Sequence, residues 1–214
     1  MIRPFYFKTR LHLVKLLTTK AKNPNELLEG IRTVPASSIY YHTHRFLRQH
    51  HYLSPEPPND FAFWLTSVLN LRELGELFAG VDTTSYGKME DLRAAFVKIL
   101  EDYLARKGMN VECADAYKFH FMSCITFVLP TPYIARNAKE FVQILQKVSI
   151  DSLYFHIFEA RMRLERDEND FSAWFKGMGR TKTAEAISRI DPYTITLEGL
   201  RKRIIEIVGS HAKD

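Results

Sequence analysis

The second half of this chain echoes the first, and that internal duplication limits the fold more than any other feature of the sequence. Glu26, Val34, Ser38, Tyr40 and His42 match Glu140, Val148, Ser152, Tyr154 and His156 at a constant separation of 114 residues. Leu27/Phe141, Ile31/Leu145, Ile39/Leu153 and Tyr41/Phe155 follow as apolar equivalents. After a four-residue shortening the separation becomes 110, so NDFAFW at 59–64 answers NDFSAW at 169–174 and the two tryptophans fall at equivalent positions. Asp82 and Asp191 continue the series, and EDLRAAFVKIL at 90–100 answers EGLRKRIIEIV at 198–208. A repeat this long implies two copies, 1–110 and 111–214, related by a pseudo-twofold axis with like surfaces meeting. The junction LARKGMNVECADAY holds one Gly and no flexible tract, so the copies are expected to form one compact unit.

Within each copy the apolar spacing is helical. NPNELLEGIRTV and NAKEFVQILQKV place apolar residues at i, i+1 and i+4. Pro35 and Ser149 occupy equivalent starts for the next helix, which carries the histidines. NDF supplies an Asn/Asp cap for the tryptophan helix, Gly80 and Gly177 or Gly179 mark breaks, and a closing helix follows. FYFKTRLHLV reads as helical, whereas YKFHFMSCITFVLP, within 117–129, fits a strand or a helix equally. The fold expected is therefore mainly α: an internally duplicated helical domain of two pseudo-twofold-related helical repeats packed together.

Composition excludes several classes. With 46% hydrophobic and 13% aromatic residues the chain can bury a sizeable core. The net charge of +5 is small, and basic residues alternate with acidic ones, so nucleic-acid binding is disfavoured and survives only as a weak alternative. Two cysteines without metal-ligand spacing fit a reducing compartment, and no stretch reads as a signal peptide or spanning helix. A cytoplasmic protein without membrane partners is expected.

The candidate site is SIYYHTHRFL at 38–47 with its echo SLYFHIFEAR at 152–161. His42 and His44, two apart, point to opposite sides of a regular helix and cannot share one ion. The repeat instead singles out His42 and His156, each followed one turn later by a charge, Arg45 and Glu159. Near a twofold axis these four would converge, Arg45 pairing with Glu159 and Glu159 orienting an imidazole, with Tyr40, Tyr41 and Tyr154 as walls. The structural reading of the same residues, buried histidines satisfied by a carboxylate or carbonyl, is preferred. A metal, if any, would take His42, His156 and Glu159, but H-x-x-E reverses the usual E-x-x-H and the first copy has Arg45 where a carboxylate is needed. No cofactor is predicted.

The insertion QHHYLSPEPPND at 49–60 is the largest local difference between the copies, and its His50, His51, Tyr52 and Glu56 make a candidate recognition loop. Phosphate-loop, dinucleotide, nucleophile-elbow and zinc-protease motifs are missing from the sequence. YYHTHRFL, YLSPEPPNDFAFW and SLYFHIFEARMRL together resemble a prokaryotic domain family of unknown function over nearly the whole chain. That resemblance implies no activity, cofactor or site residue. The function expected is a non-catalytic binding or regulatory module for a protein partner or small ligand, acting at the inter-repeat groove and the 49–60 loop. The alternative is an enzyme, with or without metal, using His42, His156 and Glu159.

Overall fold

A computed structural model describes residues 3–49, 58–108, 111–160, 168–190 and 195–211, with the side chains of 45–49 and 84 outside the description. The expected mainly α fold is overturned by two long strands, β1 (Phe5–Ala21) and β2 (Phe119–Ala135), which pair in an antiparallel two-stranded sheet. The chain thus mixes helices with a sheet. Both opening segments are strands, including FYFKTRLHLV, which was expected to be helical. The reason is visible in Phe5 and Phe7, and in Phe119 and Phe121: aromatic residues two apart point to one side of a strand, and all four are buried.

After β1 come α1 (Pro24–Thr33), α2 (Ala36–Gln49), α3 (Asp60–Ser67), α4 (Arg72–Ala79) and α5 (Met89–Lys107). After β2 come α6 (Ala138–Leu145), α7 (Ile150–Tyr154), a π turn (Phe155–Glu159), α8 (Asp170–Gly177), α9 (Thr181–Ser188) and α10 (Leu197–Ser210). The starts are encoded locally. Asn23 and Asn137 cap α1 and α6, and Asn59 and Asn169 cap α3 and α8, each side chain accepting a first-turn backbone N–H.

The chain divides into two compact units whose membership does not follow sequence order. Among the described residues, one unit runs from His12 to Ile125; the other joins the chain up to Leu11 to the chain from Thr126 onward. They are called below the His42 unit and the His156 unit. The opening of β1 therefore packs with the helices of the second sequence half, and the opening of β2 with those of the first.

Each unit has its own aromatic core. In the His42 unit Phe119 and Phe121 meet Phe61, whose ring also packs on Phe96, while Leu27, Ile31, Leu74 and Leu100 are fully buried. In the His156 unit Phe5 and Phe7 meet Phe141 and Phe171. Gly30 is required where α1 approaches β2, because a Cβ there would overlap the Phe121 ring.

Candidate functional site

His42 lies on α2 with its side chain 3% exposed. Its Nε2 accepts the backbone N–H of Met122 on β2 at 2.9 Å, and its Nδ1 lies 2.8 Å from Asp60 Oδ2. A ring nitrogen that accepts an N–H carries no proton, so the neutral ring holds its proton on Nδ1 and donates it to Asp60. Asp60 is in position because Asn59 caps α3, which puts the aspartate in the first turn. Burial pushes the His42 pKa below its ordinary 6.5, and the hydrogen bond to Asp60 opposes that shift.

The His156 unit repeats this arrangement. The Lys8 N–H on β1 donates to His156 Nε2 at 2.9 Å, and Nδ1 lies 2.7 Å from Asp170 Oδ2 behind the Asn169 cap. Two further pairs complete the parallel. Trp64 Nε1 donates to the Tyr117 carbonyl at 2.8 Å, and Trp174 Nε1 to the Arg3 carbonyl at 2.9 Å, so histidine and tryptophan together grip the opening of each strand. Arg93 donates to the Ile31 carbonyl and pairs with Glu90, as Arg201 donates to the Leu145 carbonyl and pairs with Glu198. Each of these polar side chains that recurs in both copies is a clip fastening one element of its unit to another.

The other candidate residues are placed as follows. Glu159 does not orient an imidazole: Asp60 and Asp170 do that, and Glu159 forms an ion pair with buried Arg10 of β1. Arg10 also lies over the Tyr154 ring, 4.2 Å from its centre. Tyr40 stacks on His44 at 5.4 Å, as Tyr154 stacks on Phe158 at 4.6 Å, and Tyr41 meets His42 edge-on. The Arg45 side chain and His50, His51, Tyr52 and Glu56 lie outside the described residues. Among the described residues no cluster of three or more His, Cys, Asp or Glu could hold a metal.

Asp60, Asp170, the two tryptophan donors and Arg10 were not assigned these roles from the sequence. The repeated NDF and the shared Trp flagged the first four, and the matching FYF and FHF segments, again 114 apart, could have revealed the strands they hold.

Two open grooves are lined largely by residues that differ between the halves, Ile99 and Ile207 being the shared pair. In the His156 unit, the groove between α9 and α10 is lined by Ile190, Ile195 and Ile207 together with Arg189, Lys202, Arg203 and His211, with Glu206 beside Arg203. The corresponding groove of the His42 unit, between α4 and α5, is lined by Glu73, Glu76 and Asp82 with Leu77, Val81 and Ile99.

The described structure thus comprises two units, each clamping one strand opening by an Asp–His pair and a tryptophan. The chain belongs to DUF5752, a family of unknown function whose model matches residues 2–209. Its fold is similar to the structure titled "The structure of OrfY from Thermoproteus tenax", from an archaeon, with 27% identity, a TM-score of 0.81 and 97% and 95% of the two chains covered. No curated protein matches. Among the described residues no helix is long and apolar enough to cross a membrane.

Proposed function

We propose that this protein is a non-catalytic binding or regulatory module, recognising a protein partner or small ligand with residues that its two copies do not share. One observation carries the reading. Both ring nitrogens of His42 and of His156 are engaged by protein atoms, a carboxylate on one side and a strand N–H on the other. A general base or metal ligand needs a ring nitrogen directed at substrate or ion, and these are spent on holding strands. The grooves support the binding half of the proposal, since a lining of mixed apolar and charged residues selects by shape and by sign of charge.

The test is the protonation behaviour of the rings, followed by 15N-resolved imidazole NMR through a pH titration. Both histidines are expected to hold one tautomer at neutral pH, proton on Nδ1, with His42 taking up a second proton only below its ordinary range. A ring that titrates freely near pH 6.5 in the folded protein, or that shifts on adding zinc, would return the site to catalysis or metal binding.

A further inference from the structure

The two corresponding grooves carry charge of opposite sign. Among the described residues, the groove between α4 and α5 is lined by Glu73, Glu76 and Asp82 and by no Lys or Arg, although Arg106 and Lys107 reach Glu73 from beyond its lining. The groove between α9 and α10 carries Arg189, Lys202, Arg203 and His211 against one acid, Glu206.

The basic groove runs along one face of α10. Gly199, Lys202, Arg203, Glu206, Ile207 and His211 line it, and their spacing of i, i+3, i+4, i+7, i+8 and i+12 places them in a single stripe. At 1.5 Å per residue that stripe is about 18 Å long. The other side of the helix faces the core through Leu200, Ile204 and Val208. Ile190 and Ile195 are half-buried and Ile207 is buried, so apolar surface lies among the exposed Arg189, Lys202 and Arg203. The helix does not need these cations in order to pack: 108 residues earlier, α5 has Ala94 and Ala95 where α10 has Lys202 and Arg203. Local ion pairs do not use them up either. Arg203 meets Glu206 at 3.2 Å and Arg189 meets Glu185 at 3.6 Å, but all four side chains are exposed, and such pairs are weak enough to exchange with a partner's carboxylates.

We propose that the α9–α10 groove takes an acidic amphipathic helix of a partner protein, its apolar residues against the isoleucines and its carboxylates against Arg189, Lys202 and Arg203. Complementary charge selects the acid, and the isoleucines select an apolar stripe beside it. A stripe of about three turns matches a helical ligand of about twelve residues, whereas a small anion would engage one turn of it. The same isoleucines disfavour nucleic acid, whose phosphates meet cations and leave apolar surface uncovered. The inference rests on the reading of this protein as a binding module and narrows the partner.

Selection from a displayed library of random peptides of about twelve residues, followed by fluorescence anisotropy of the best binder, tests it. Acidic sequences with apolar residues at i, i+3 or i+4, and i+7 are expected to be enriched. Lys202→Glu combined with Arg203→Glu, at exposed positions, is expected to keep the circular dichroism spectrum and to weaken the selected peptide by about tenfold or more. Lys98→Glu on α5 is expected to leave that affinity unchanged. No acidic enrichment, binding that survives the double substitution, or tighter binding of polyuridylate than of the peptide would each overturn the proposal. If the double variant unfolds, Lys202→Gln with Arg203→Gln decides in its place. The histidine titration tests the underlying reading separately: rings that hold one tautomer at neutral pH, together with no acidic enrichment, sink this inference alone.

Discussion

The His42 and His156 sites share one clip and differ in the layer beside it. In the His156 unit a π turn carries the histidine and ends at Glu159, whose carboxylate meets Arg10 of β1 above the Tyr154 ring. In the His42 unit the same helix stays α-helical, the position of Arg10 is held by Cys124, and that of Phe158 by His44, stacked on Tyr40 and bonded to Thr43 Oγ1 at 2.8 Å. The site in the His156 unit is therefore ionic beside its clip. The residues common to both halves hold the strands, whereas the adjoining layer and most groove-lining residues differ between the halves.

Truncating the shared clip should give the largest effect. His42→Ala and His156→Ala each open a cavity among aromatic rings and leave a strand N–H without its acceptor, at a cost of about 3–5 kcal/mol by denaturant unfolding. Similar losses in the two units would sharpen the equivalence; a negligible loss in either would break it.

The ionic layer is the next test, and it separates the units. Glu159→Ala leaves the Arg10 guanidinium buried without its carboxylate and should cost about 3 kcal/mol, while Arg10→Met with Glu159→Met recovers most of that loss. If the single and double variants are equally unstable, the pair does not hold the His156 unit together.

Acid should act through the shared clip. The folded pKa of His42 is lowered, so the unfolded chain binds its proton first as pH falls. The contribution is fully present above the ordinary pKa of 6.5 and is lost on going down from there to the lowered folded value. The expected slope is about 1.4 kcal/mol per pH unit within that window. His42→Gln should flatten it, and an unchanged slope in that variant would assign the pH dependence to other groups. The smallest effect belongs to the indole donors: Trp64→Phe and Trp174→Phe should cost about 1–2 kcal/mol each, matched between units, as thermal unfolding would record.

Much of this was legible in the chain. The Asn caps, the histidine helices and the helix break at Gly177–Gly179 follow from local rules, because a capping side chain reaches only its own first turn. The repeat singled out His42 and His156 for the same reason that it singled out the tryptophans. Two features are not legible locally: β1, whose basic and apolar residues mimic a helical spacing, and Glu159, whose partner Arg10 lies on a strand distant in the chain.

The sequence by itself determined a doubled set of helices and the residues each copy reuses, since periodicity and capping act within a few residues. Only the tertiary structure decided which strand each set holds. The hydrogen bond from Lys8 to His156 spans 148 residues of chain, and that from Met122 to His42 spans 80. A strand N–H is alike at every position, so the choice of partner comes from the packing of Phe5, Phe7, Phe119 and Phe121 into the two cores, where burial of the rings fixes which amide reaches which imidazole.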